Sequence, residues 1–262
     1  MFDSFSKLFS GGEKNASVRT CCFHFGRCGS TLLGNLLNAR AEIDWQGELL
    51  HPLHEKTADA PSYDNPLDLI TGPIQQSKQP IFGFEAKFQH MDDNGLDLPF
   101  GVFVDTLISN GFEKFIVLKR QNYLRQAISV ARGQVTGQWH QKKGQPAAAS
   151  EAVCLDVDAV SLGGKNREIT EAFQFLDDTY ALAEECFTER IVDVLNLDYE
   201  QDLELEPQVG FDKACLYLGL SSTPGQSSLE KLGGQPLEKM TLNYDEINER
   251  LHKTPWQWML EN

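Results

Sequence analysis

Gly26-Arg27-Cys28-Gly29-Ser30-Thr31 is a turn built from two glycines, a guanidinium, a thiol and two hydroxyls. It follows the apolar run ending at Phe25 and precedes the leucine-rich stretch Thr31–Leu37. Between a strand and a helix, such a turn aims backbone N–H groups outward at the positive end of the helix dipole, which suits an anion. The same residues also suit an ordinary helix start with Ser30 as N-cap. A Walker A loop would space its glycines more widely and place a lysine after the second one. Here Ser30 follows Gly29, so a nucleoside triphosphate is not the ligand this turn fits.

A second stretch pairs a basic residue with a hydroxyl. Phe115-Ile-Val-Leu118 is a continuous apolar run that ends at Lys119 and Arg120, and helical periodicity follows over Tyr123–Arg132, carrying Ser129. Taken alone, it also reads as a buried strand followed by a surface helix with Arg125 and Arg132 in solvent. Groups able to take a proton lie after the first helix, in Asp44–His54, where Glu48, His51 and His54 occur. His51 has the more suitable unperturbed pKa for a general base; the alternative is a polar turn, with His51 before Pro52. Lys87 ends the strand-like IFGFEAK, and Trp139 and His140 precede a long loop.

Together and in this order, the two stretches resemble the phosphate-binding segments of sulfotransferases that use 3′-phosphoadenosine 5′-phosphosulfate (PAPS). In that family a basic residue, a small residue, Gly and two hydroxyl residues join the first strand to the first helix and bind the 5′-phosphosulfate. The resemblance gives that role to Gly26, Arg27, Cys28, Gly29, Ser30 and Thr31, with Arg27 also catalytic. An Arg at a strand end and a helical Ser bind the 3′-phosphate there, and Arg120 and Ser129 resemble that pair. The family's usual spacing falls on Gln121, one residue later than Arg120, so Arg120 or another residue holds the phosphate. LNLDYEQDLELEPQVGFDKACLYLGL resembles a structural segment late in many members, and LNYDEINERLHKTPWQWML resembles the tail of bacterial ones.

The resemblance implies sulfuryl transfer to a hydroxyl of a carbohydrate or another small metabolite, with PAPS as co-substrate and no metal. It implies Glu48 or His51 as the base. Three other readings stay open: a nucleotide-dependent kinase of P-loop-like fold, a binding module of this fold without chemistry, and a cysteine phosphatase from the C-x5-R count of Cys21 and Arg27. The residues between Cys21 and Arg27 are apolar strand, which disfavours the last.

The elements that must position these groups follow from hydrophobic patterning. Strands are expected at Val18–Phe25, Ile81–Phe88, Lys114–Leu118 and Arg190–Leu197. Helices are expected at Thr31–Arg40, Leu98–Asn110, Tyr123–Arg132, Arg167–Phe187, Pro207–Leu218 and Tyr244–Leu251. The alternation predicts an α/β, P-loop-like three-layer fold with a central parallel sheet flanked by helices. One domain over 1–262 is expected, with a flexible tail at 1–16, lid-like loops at 56–79 and 137–165, and a flexible stretch at Leu220–Gln235.

The chain has 262 residues, 41% hydrophobic and 23% charged, with a formal net charge of -15. That charge argues against nucleic acid or an anionic membrane surface as partner, so an anionic ligand needs a locally basic site. No apolar run reaches membrane-span length, and the N-terminus lacks a signal-peptide core. The six cysteines contain no C-x-x-C pair and read as free thiols of a reducing compartment, so a cytoplasmic location is expected. Oligomeric assembly is left open.

Overall fold

A computed structural model of the chain describes residues 18–54, 68–91, 96–139, 152–225 and 235–261. The expected tail at 1–16, much of the loop at 56–67 and the residues 140–151 lie outside them. Five parallel strands form the central sheet in the order β2-β3-β1-β4-β7. They are β1 Val18–His24, β2 Ile43–Glu48, β3 Ile81–Lys87, β4 Lys114–Lys119 and β7 Asp193–Asp198. From β1 the chain runs to the edge strand β2, returns inward to β3 beside β1, and then crosses to β4 and outward to β7 on the other side. The carboxyl end of β1 is therefore a topological switch point, where parallel sheets of this kind open a crevice.

Both faces of β1 are covered, which is why its sequence is apolar without alternation. Cys21, Phe23 and Phe25 face one core, with α3 (Phe100–Ser109), α4 (Tyr123–Thr136) and α5 (Ile169–Arg190). Phe23 packs there against the rings of Phe88, Phe100, Phe103, Phe115 and Phe187. Cys22 faces the other core, where Leu33, Leu36 and Leu37 of α1 (Ser30–Asn38) meet Phe211 and Ala214 of α6 (Pro207–Tyr217). The fold is the three-layer arrangement expected.

Several expectations need correction. Residues 68–76 of the expected lid loop form helix α2 (Asp68–Gln76), with Ile70 and Ile74 buried one turn apart. Gly72 and Pro73 hide that periodicity. The second expected lid, 137–165, is buried in its later part: Val153, Leu155, Val157 and Val160 enter the core, and β5 (Val160–Leu162) pairs with β6 (Lys165–Arg167). Gly163 and Gly164 join those strands with positive φ, the geometry of a tight hairpin. Of the expected flexible stretch 220–235, residues 220–225 are tied down, with Gly225 donating to Gln208 and Leu220 to the Cys215 carbonyl, and 226–234 lie outside the described residues. Helix α7 (Leu237–Met240) was not foreseen; α8 (Tyr244–Leu251) was. Among the cysteines Cys154 is exposed and the other five are buried.

A buried ion pair sits between the ends of β1 and β3. His24 Nε2 lies 3.3 Å from Glu85 Oε2, and the indole of Trp45 donates to Glu85 Oε1 at 2.9 Å. Burial alone drives the proton off His24, but the neighbouring Cys28 and Glu85 outweigh it and hold the His24 pKa above its ordinary 6.5. Burial likewise pushes the Glu85 carboxyl up, and His24, Trp45 and Ser30 together bring it below its ordinary 4.5. Stability from a raised His is present below its unfolded pKa and fades as pH rises through the folded one. Stability from a depressed Glu is present above its unfolded pKa and fades as pH falls through the folded one. The pair therefore contributes fully between those ordinary values, 4.5 and 6.5. Removing one partner of a buried pair costs about 3–5 kcal/mol. Glu85→Gln should lose that much in urea denaturation near pH 6, with the deficit shrinking toward both pH extremes; a deficit that stays constant from acid to alkali would contradict the pairing.

Candidate functional site

The turn after β1 has two residues in the left-handed region, Arg27 at φ 67° and Gly29 at φ 89°. Gly29 starts α1: its carbonyl accepts from Leu32 and Leu33, and no side chain caps the helix. A Cβ on Gly29 would lie 2.7 Å from the ring of Tyr199, so glycine is required by contact as well as by φ. The reading of Ser30 as N-cap fails. Ser30 is the first helical residue, is buried, and hydrogen-bonds to Glu85. The amino end of α1 is left uncapped by side chains and opens to the crevice, the arrangement that stabilises an anion. The Cys28 side chain points into the core, so only its backbone faces the turn.

Three residues distant in sequence meet at this turn because β4 lies beside β1. Arg27 Nε donates to Ser129 Oγ at 3.0 Å, and Arg27 Nη1 donates to the Trp139 carbonyl. The half-exposed Trp139 ring stands 5.8 Å from the same guanidinium. Arg120 Nη1 donates to the Arg27 carbonyl at 3.2 Å, and its guanidinium lies over the Tyr199 ring at 4.6 Å. Arg120 Nε is buried without a hydrogen-bond partner; Glu200 Oε1 is 3.7 Å away. Burial, then repulsion from Arg120, pushes the Arg27 pKa below the usual arginine value. Arg120 and Ser129, paired by the sequence and separated there from Arg27, thus form one cluster with it.

Helix α4 locks this cluster to the sheet. Asn122 caps it by accepting from the Arg125 N–H at 2.9 Å, and Gln126 Nε2 donates to the Gly26 carbonyl at 2.6 Å. Glu200 accepts from the backbone N–H groups of Gln121 and Asn122 at 2.9 and 3.1 Å. The same carboxylate that steadies the strand-to-helix turn therefore also flanks Arg120. The resembling segment around Glu200 gave only a structural role, and its link to Arg120 emerges from the tertiary fold.

Glu48 is not a loop residue: it ends β2, and a bulge aims it. Trp45 pairs with Gly83 and Glu48 with Glu85, so one extra residue is inserted on β2. Gly47 takes φ 61° within that bulge. Such insertions redirect side chains at sheet edges. Glu48 Oε2 meets Lys87 Nζ at 2.6 Å, and His51 Nδ1 is 3.8 Å away. Lys87 ends β3, and its Cε passes 3.7 Å from where a Gly26 Cβ would stand. Lys87 thus bridges from the anion-binding turn to Glu48. His51 is more exposed than either, and the side chain of His54 lies outside the described residues.

Gly26, Arg27, Gly29, Ser30, Thr31, Glu48, His51, Lys87, Arg120 and Ser129 all line one cleft of about 1110 Å³. Three cations converge there on a chain of net charge -15. Among the described residues, ligand atoms of His24, Glu48 and Glu85 lie within 4.8 Å of one another. Lys87, Trp45 and Ser30 already engage those carboxylates. Cys21, the residue of the phosphatase reading, is buried in the middle of β1; burial, then Glu85, pushes its thiol pKa up, the opposite of an activated nucleophile.

No described helix is long and apolar enough to cross a membrane. No protein-family model and no curated protein matches the sequence. Among solved structures, a sulfotransferase from Alicyclobacillus acidocaldarius superposes with a TM-score of 0.50 at 12% identity, covering 95% of each chain. The sulfotransferase domain of the Synechococcus PCC 7002 olefin synthase gives 0.47 at 15% identity, covering 96% of this chain and 89% of that one. The α/β fold that carries the arginine-lined cleft is the fold of a bacterial sulfotransferase.

Proposed function

We propose that the chain transfers a sulfuryl group from PAPS to a hydroxyl of a carbohydrate or another small metabolite. The observation that carries this reading is the pair of guanidiniums, Arg27 and Arg120, held together beside the uncapped amino end of α1. Like charges are not brought together in a half-buried cleft without cost; a polyanion removes it. The buried, unpartnered Arg120 Nε fits an acceptor oxygen from such a ligand. Arg120 and Ser129 are suited to the 3′-phosphate, and Arg27 with the N–H groups of residues 26–31 to the 5′-phosphosulfate.

When bound, PAPS supplies the activated sulfuryl group. Sulfuryl transfer resembles phosphoryl transfer, in which positioning and charge stabilisation dominate. The acceptor oxygen forms the new S–O bond while the bond to the 5′-phosphate oxygen breaks, and the electron pair leaves with that phosphate. Glu48 takes the acceptor's proton. Arg27 stabilises charge gathering on the leaving oxygens. Lys87 spans both partners, holding Glu48 in place beside the anion-binding turn. The alternative kinase reading lacks the loop lysine, because Ser30 follows Gly29.

Thermal unfolding with nucleotides tests the cofactor. Adenosine 3′,5′-bisphosphate at ~100 times its dissociation constant should add about 2.7 kcal/mol of stability. AMP, and ATP with magnesium, should add much less; equal shifts for AMP and the bisphosphate would remove the case for a 3′-phosphate site.

Variant kinetics test the roles. Arg27→Ala should lower turnover at saturating donor by roughly a hundredfold or more, the scale of a lost oxyanion donor. Ser129→Ala should chiefly raise the donor's apparent KM, since its proposed contact is to a group unchanged in the reaction, and should lower turnover far less than Arg27→Ala although Ser129 also accepts from Arg27 Nε. Full turnover in Arg27→Ala with loss in Ser129→Ala would reverse the two assignments. Glu48→Gln should lower turnover without weakening bisphosphate binding; a fully active Glu48→Gln would move the base to His51.

A further inference from the structure

Resting on that reading, we infer that a second groove, between α1 and β2, is the acceptor subsite, and that it takes an uncharged polyhydroxylated compound. The groove has a volume of about 730 Å³ and shares two residues, Thr31 and Glu48, with the arginine-lined cleft. Glu48 therefore stands where the two spaces meet. A group that removes a proton from an acceptor hydroxyl must face the donor on one side and the acceptor body on the other, and Glu48 is so placed.

The chemistry of the groove selects its occupant. Its lips carry three amides: Asn35 and Asn38 from α1 and Gln46 from β2. Asn35 is tied to the Thr31 carbonyl, whereas Asn38, whose Oδ1 accepts from the Trp45 N–H at 3.4 Å, and Gln46, whose Nε2 donates to Asp44, each carry two donors and a two-lone-pair oxygen, so these two amides keep both donor and acceptor capacity for hydroxyls. Among the described residues that line it there is no Lys or Arg, so nothing there compensates an anionic acceptor. Nor does the groove demand a cation: Glu48 is paired with Lys87 and Glu85 with His24. The large apolar side chain lining it is Trp45, with Ala39 beside it, and Trp45 is itself buried, so no extended aromatic or aliphatic wall is presented to a phenol or sterol. Amides without net charge and without a broad apolar face are a surface for a neutral sugar or polyol.

Saturation-transfer NMR measures this without turnover. The probes are maltose, lactose, cellobiose and trehalose as neutral sugars, glucuronate as the anion and 2-naphthol as the apolar hydroxyl. The full chain is first saturated with adenosine 3′,5′-bisphosphate. At least one neutral sugar should receive saturation, and glucuronate and 2-naphthol should receive far less. Gln46→Arg, which fills the groove from its exposed lip, should reduce the sugar signal at least tenfold. Asn38→Ala should reduce it in the same direction with a milder change of structure. Both variants should keep the full bisphosphate-induced thermal shift, which certifies the fold and the cofactor cleft. Absence of signal from all four sugars, a stronger signal from glucuronate or 2-naphthol, or a sugar signal that survives both variants would overturn the inference. Failure of the bisphosphate to bind the unmodified chain would instead overturn the sulfuryl-transfer reading.

Discussion

The site depends on two guanidiniums that repel each other and are nonetheless held in contact range of one turn. Arg27 is fixed by Ser129 and by the Trp139 carbonyl; Arg120 is fixed by the Arg27 carbonyl, the Tyr199 ring and the flank of Glu200. The restraints come from α4 and the residues just after it, from the turn after β1 and from the adjacent pair Tyr199 and Glu200, so the cluster is built before any ligand arrives. Preorganised charge of this kind is worth most where water is partly excluded, and it needs no rearrangement during reaction. The acidic balance of the rest of the chain makes the local concentration of positive charge more pointed, since no general basic surface accounts for it.

The sheet makes the cluster possible. Adjacent parallel strands deliver their carboxyl ends to one rim, so β1, β3 and β4 place Arg27, Lys87 and Arg120 around one crevice although they lie far apart in sequence. The edge strand adds Glu48 through its bulge. Beneath the rim, His24 and Glu85 form a charged floor in which Ser30 and Trp45 are engaged. The site's geometry and the stability of the sheet are thus coupled through Glu85, which faces the groove and is buried in the core.

How much of this the sequence displayed follows from physical locality. The three inner strands were legible because a strand covered on both faces is apolar throughout, as in Phe115–Leu118; β7, at the sheet's other edge, was legible through Val192, Val194, Leu195 and Leu197. The turn at Gly26–Thr31 was legible because its glycines and hydroxyls are local. β2 was not, because an edge strand with Asp44, Gln46 and Gly47 has no apolar run. α2 was obscured by Pro73 and Gly72, although Ile70 and Ile74 carry its spacing. The β5–β6 hairpin had a signal, Gly163-Gly164 between short strands, that composition-based reading of a loop passed over. Contacts such as Glu48 with Lys87, or Ser129 with Arg27, depend on strand register and helix docking and have no local signature. The alternative of Ser30 as a helix cap fails for a related reason: its hydroxyl is taken by Glu85, which lies on another strand.

The most direct measurement of the central claim is transfer of sulfur-35 from labelled PAPS, with the product followed by chromatography. The account predicts that label leaves the donor and appears covalently on an organic hydroxyl compound, with one adenosine 3′,5′-bisphosphate released per transfer and no requirement for added metal. A chain that leaves labelled PAPS intact with every class of hydroxyl acceptor, while binding ATP with magnesium in preference to the bisphosphate, would contradict it.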